Sequence, residues 1–158
     1  MGDTTLALVS ISLILLIVPH VSDLSASENE CARTAQMRIY SSASVDKQTG
    51  DLDGYELAIE GHKDSTVDAW LYVYEGAPND EGVHISGTIS GNKLAMEGNW
   101  VERLIEYPSK KEVVQTHFVR IDGMLDSAWF RGKLKIEGLS TPDSLRLKRI
   151  PRIWVCKR

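Results

Sequence analysis

The stretch Val83-His-Ile-Ser-Gly-Thr-Ile-Ser-Gly-Asn-Lys-Leu-Ala-Met-Glu-Gly98 decides the fold class. Val83, Ile85, Gly87 and Ile89 alternate with His84, Ser86, Thr88 and Ser90. After Gly91-Asn92 the alternation resumes with Leu94 and Met96. Period-two alternation marks a strand with one buried face, and Gly-Asn accepts the positive φ of a tight hairpin. The segment therefore reads as two antiparallel strands joined by a two-residue turn.

The same signal continues on both sides. Tyr55, Leu57 and Ile59 alternate with Glu56, Ala58 and Glu60. Further strands are expected at Met37–Ser41, Val67–Tyr74, Leu94–Tyr107, Val113–Ile121, Ala128–Ile136, Leu145–Lys148 and Ile153–Cys156. Turn chemistry falls at Asp53-Gly54, Gly61-His62-Lys63-Asp64, Pro78-Asn79-Asp80, Asp122-Gly123 and Pro142-Asp143. With almost no helical period, eight or nine strands predict an all-β antiparallel meander closed into a small barrel, a β-sandwich being the alternative. Closure would remove exposed sheet edges. Tyr55, Leu57, Ile59, Val83, Ile85, Ile89, Leu94, Met96, Phe130, Leu134 and Ile136 are expected to share the buried face.

Two internal features refine this picture. Gly54–Gly61 and Gly91–Gly98 share a Gly-x-x-Leu-Ala-x-Glu-Gly pattern, and Gly132–Gly138 is a looser third copy, as if one strand type recurred in successive hairpins. Beyond Met96, Gly98 and Trp100 keep one phase while Val101, Ile105 and Tyr107 hold the other. A β-bulge near Trp100 would switch the facing.

The N-terminal region has a different character. An apolar run from Leu6 to Val18 is closed by Pro19 and followed by Ser25, Ala26 and Ser27. The run is short of the roughly 20 residues of a membrane span and matches a signal-peptide core, although Asp3 stands where positive charge is usual. Residues 1–27 are expected to be a cleaved signal peptide, leaving a single domain over 28–158. Export places that domain in a periplasmic or secreted setting, where Cys31 and Cys156 are expected to form a disulfide. The spacing of these cysteines fits neither a zinc site nor a redox motif.

Chemistry-bearing motifs are sparse. His62, His84 and His117 lack metal-ligand spacing, and no nucleophile elbow or phosphate loop occurs, so no catalytic residue, cofactor or metal is assigned. The net charge of −4 moves closer to zero without the leader and predicts no partner, and the lack of a basic, aromatic-studded motif in an exported domain argues against nucleic acid. On the Val67–Tyr74 strand the aliphatic phase serves the core, leaving Trp70 and Tyr72, with Trp100, as candidate ligand-binding residues. Arg146, Lys148, Arg149 and Arg152 form a candidate basic patch for an anionic surface.

Gly98-Asn99-Trp100 looks like the Gly-x-Trp motif of lipocalins, and the exported meander resembles the calycin-type barrels, lipocalins and avidin-like proteins, at the level of architecture. The motif falls mid-domain instead of on the first strand, and the Thr-Asp-Tyr signature is missing. The resemblance implies a non-catalytic binder of a small apolar or amphipathic ligand. Two other readings stand beside it: an envelope or secreted protein-interaction module with a solid core, and an extracytoplasmic hydrolase or isomerase without a recognisable motif.

Overall fold

The computed structural model describes residues 30–76 and 81–157. The expected signal peptide and the turn at Pro78-Asn79-Asp80 lie outside them. Nine antiparallel strands follow one another: β1 (Arg38–Ser41), β2 (Ser44–Val45), β3 (Leu52–Gly61), β4 (Thr66–Gly76), β5 (Val83–Ser90), β6 (Lys93–Glu106), β7 (Lys111–Leu125), β8 (Trp129–Ile136) and β9 (Leu145–Ile150). From β3 to β9 each strand pairs with the next, and β1 pairs with both β9 and β3. Eight strands thus close into a barrel, and β2 adds only a two-residue ladder to β3.

Alternation fills the lumen. Leu57, Ile59, Ala69, Leu71, Ile85, Met96, Val119, Ile121, Phe130, Leu134 and Leu147 form one buried cluster, against which Tyr55, Ile89 and Trp100 pack. Of the residues expected on the buried face, Leu57, Ile59, Val83, Ile85, Leu94, Met96, Phe130, Leu134 and Ile136 belong to it, while Tyr55 and Ile89 are partly buried against it. Gly123 of β7 faces Gly132 of β8. A Cβ on either would come within 2.7 Å of the Phe130 ring, so the missing side chains let that ring lie across the two backbones, as aromatic rings cover glycines in curved sheets.

Several expectations need correction. Asp53-Gly54 and Asp122-Gly123 are not turns; they lie inside β3 and β7. A glycine that admits a close ring contact has the same sequence signature as one that reverses the chain. No bulge occurs near Trp100, because β6 and β7 stay in register without interruption from Lys93 opposite Met124 to Glu106 opposite Lys111. Ile153–Cys156 is not a strand; it runs into a 3-10 turn at Trp154–Lys157. The repeat copies fall on β3, β6 and β8, which are not equivalent members of successive hairpins. They share a facing, since Leu57, Leu94 and Leu134 all point inward.

A second apolar layer lies outside the barrel. Ile39, Leu52, Ala58, Tyr72, Tyr74 and Ile153 are buried there with Trp70, Ile150, Trp154 and Cys156 around them. A helical turn over 30–34 and the C-terminal 3-10 turn are joined by the Cys31–Cys156 disulfide, with Cα atoms 5.6 Å apart. Strand β4 is consequently covered on both faces.

Candidate functional site

Strands β6 and β7 are much longer than their neighbours, and the excess leaves the barrel. Pairing with β5 ends at Gly98, opposite Ile85. Pairing with β8 begins at Val119, opposite Ile136. Asn99–Phe118 therefore forms a two-stranded ribbon, roughly 25 Å long at the usual rise per residue. Its turn contains a cis Tyr107-Pro108 bond.

Residues directly opposite on antiparallel strands share a face. One face of the ribbon continues the outer wall and carries the pairs Asn99 with Phe118, Val101 with Thr116, Arg103 with Val114 and Ile105 with Glu112. Ile105 is 60% exposed, Val114 55%, Val101 53% and Phe118 41%. Tyr107 stands out at the turn, and Arg103 pairs with Glu112 at 3.0 Å across this face. The other large apolar side chains exposed among the described residues are Leu104, on the opposite ribbon face, and Val45, Met124 and Leu139 elsewhere. Exposed aliphatic surface is thus concentrated on one projecting element.

The base of the ribbon is fastened to the barrel. His117 is nearly buried; its Nδ1 lies 2.8 Å from the Glu137 carbonyl oxygen and its Nε2 3.3 Å from Glu102 Oε2. Its ring stands 5.8 Å from that of Trp100. Trp100 continues the inward phase of β6 and packs on the lumen cluster.

The other aromatic candidates lie elsewhere. Trp70 and Tyr72 point to the outer side of β4, so they do not meet Trp100. Tyr72 is fully buried, and its hydroxyl donates to the Glu30 carboxylate, which also binds Arg33. Burial first, then the Glu30 hydrogen bond, pushes the Tyr72 phenol well above its ordinary range. The Gly82 backbone crosses the same ring. The Arg33 guanidinium stacks 4.2 Å from the centre of the Trp70 ring, a favourable cation–π placement. The chain's own terminal segment covers these aromatics.

The four candidate basic residues separate. Arg146 and Lys148 face outward on β9, where Arg146 stacks 4.3 Å from the Trp129 ring. Arg149 takes the other phase and donates to the Ser127 carbonyl oxygen at 3.4 Å. Arg152 lines a separate hollow of about 300 Å³ beside the disulfide. The outward row of β8, which includes Arg131, Lys133 and Lys135, extends the charge of Arg146 and Lys148 into a basic wall.

A further cluster escaped the sequence reading. His62 and His84 place their Nε2 atoms 2.9 Å from the two carboxylate oxygens of Asp68. No spacing rule reveals it, because the residues come from a turn and two adjacent strands. The ribbon was detectable in principle. The expected β6 segment, Leu94–Tyr107, outran its neighbours, but the inferred bulge buried its apolar phase, and the expected β7 segment, Val113–Ile121, fell short of the observed strand at both ends.

Comparison of the chain with protein-family models, with curated proteins and with solved structures returned no match. The fold defines an all-β protein with an eight-stranded antiparallel closed barrel, an architecture compatible with the calycin type. The bonded cysteine pair is consistent with an oxidising compartment.

Proposed function

We propose that the protein is a non-catalytic, extracytoplasmic interaction module in which a solid barrel, its terminal turns joined by a disulfide, carries a projecting β-ribbon that docks a protein partner. One observation carries the reading: the exposed aliphatic side chains Val101, Ile105 and Val114, with Phe118, line a single face of an element that contributes nothing to barrel closure. Leaving such a patch bare in water is costly, and contiguous apolar surface of this kind marks interaction sites. The lumen supports the same choice over a ligand held inside, since leucine, isoleucine, valine, methionine and phenylalanine side chains occupy it. The open edges of both ribbon strands, beyond the ends of β5 and β8, also suit addition of a partner strand. The apolar run of the leader and the disulfide favour export.

Site-specific photo-crosslinking in the native host tests this reading. A photoreactive residue at position 105 or 114 should give one discrete protein adduct, whereas one at Thr49, on the β2–β3 loop, should not. The Val101→Ser, Val114→Ser double variant should lose the adduct at position 105 while keeping its melting temperature. Equal adducts from all positions, or none from the ribbon, would count against the proposal.

A further inference from the structure

A second site lies on the same outer wall, toward the far end of β6 and β7 from the ribbon, where the surface is hollow. Between the outer surfaces of β5, β6, β7 and β8 is an open hollow of about 580 Å³, within the size range of small-molecule sites. Its floor carries little side-chain bulk because the outward position of β6 is filled only by Ala95; the backbone of Gly123 and Gly132, whose absent Cβ positions face the lumen, lines it as well. Met124 is half exposed along one side. A thioether on an unbranched chain adapts well to a flexible apolar guest.

The rim carries charge of one effective sign. Lys93 stands opposite Met124, and Lys133 opposite Asp122. Asp122 is already engaged by Arg120, with Nε 2.6 Å from Oδ2 and Nη2 3.3 Å from Oδ1. Among the described residues neither Lys93 nor Lys133 makes an ion pair, so two ammonium groups border an apolar floor without a carboxylate of their own. The row continuing through Lys135 to Arg146 and Lys148 adds a positive field on the same wall.

We propose that this hollow binds a single-chain anionic amphiphile, its hydrocarbon tail along Ala95 and Met124 and its carboxylate or sulfate head between Lys93 and Lys133. The guest is a free molecule and not a bilayer. Thr88 and Ser90 border the hollow as polar neighbours, and Met124 is the one large apolar side chain exposed there among the described residues. A bilayer-inserting surface would need several. A protein partner is disfavoured for the same reason, as protein hot spots use aromatic or branched anchors. The site is independent of the ribbon.

Isothermal titration calorimetry with sodium laurate below its micellar concentration, at low ionic strength, reads the proposal directly. The wild-type chain should show saturable one-to-one binding. Acetate should give none, and the neutral alcohol of the same chain length should bind at least tenfold more weakly. Lys93→Glu with Lys133→Glu should weaken laurate binding at least tenfold, and Ala95→Phe, which fills the floor from an exposed position, should abolish it. Both variants should keep the wild-type circular dichroism spectrum, and Val101→Ser, Val114→Ser should bind laurate normally. No saturable heat, or an affinity unmoved by charge reversal and by floor filling, overturns the proposal. So does retention on phosphatidylglycerol vesicles without any binding of monomeric laurate.

Discussion

The carboxylate of Glu56, on the outer face of β3, accepts the backbone N–H of Trp154 at 2.6 Å, ninety-eight residues further along the chain. The same oxygen accepts the Tyr74 hydroxyl at 2.7 Å, and the side chain is fully buried. A polar group in the outer apolar layer thus fixes where the C-terminal turn lands. Glu56→Ala removes that shared acceptor and should lower the unfolding free energy by about 2 to 4 kcal/mol, given that hydrogen bonds to charged groups contribute about 1.5 to 3 kcal/mol each. The other oxygen, Oε1, has no hydrogen-bond partner among the described residues. Glu56→Gln keeps one acceptor oxygen and should therefore cost about 1 kcal/mol or less. Urea denaturation of the two variants measures the difference.

The disulfide should matter more than any single hydrogen bond. Its cysteines are 125 residues apart, and closing a loop of that length removes denatured-state entropy equivalent to about 5 kcal/mol in the chain-entropy model. Cys31→Ser with Cys156→Ser should destabilise by about 3 to 5 kcal/mol. The 30–34 turn should loosen first, which quenching of Trp70 by iodide would register as greater access.

The His62–Asp68–His84 cluster predicts a pH window. The Asp68 hydrogen bond raises the His62 pKa above its ordinary 6.5, so that contribution is complete below pH 6.5 and is lost as pH rises through the raised value. The hydrogen bond from His62, followed by burial acting the opposite way and the bond from His84, leaves Asp68 below its ordinary 3.8. Its contribution is present above pH 3.8 and fades as pH falls through the lowered value. The difference in melting temperature between wild type and Asp68→Asn should thus be largest between about pH 4 and 6.5. A difference that grows above pH 8 would contradict the arrangement. All these groups are well exposed, so the effect should be small and salt-sensitive.

His117 ties the ribbon to the Glu137 carbonyl oxygen and to Glu102. His117→Ala should speed hydrogen exchange of the amides in 99–106 and 111–118 while leaving those of β3 and β4 protected, because local opening follows local contacts. Uniformly faster exchange would show instead that the residue supports the whole barrel.

Period-two alternation exposed the inward face from Tyr55 to Ile136 because one buried face leaves that signal in every strand. Three features escaped for separate reasons. Gly123 resembles a turn glycine until its partner Gly132 and the Phe130 ring are in place. The cover over Tyr72 comes from Glu30, Arg33 and Trp154, which lie in segments too short to show any period. The ribbon depends on where β5 and β8 stop, and a strand's own residues do not encode where its neighbours end.

The bond between Cys31 and Cys156 also determines how the domain answers mechanical load. Stretched between those two points, the reduced chain would extend to roughly 400 Å at about 3.3 Å per residue, whereas the oxidised domain already spans its limit at 5.6 Å. A pull on the flanking segments travels through two sulfur atoms and bypasses the sheet. The barrel is thereby shielded from tension along its own chain, and any tether attached at either end would strain the tether before it strained the ribbon or the wall.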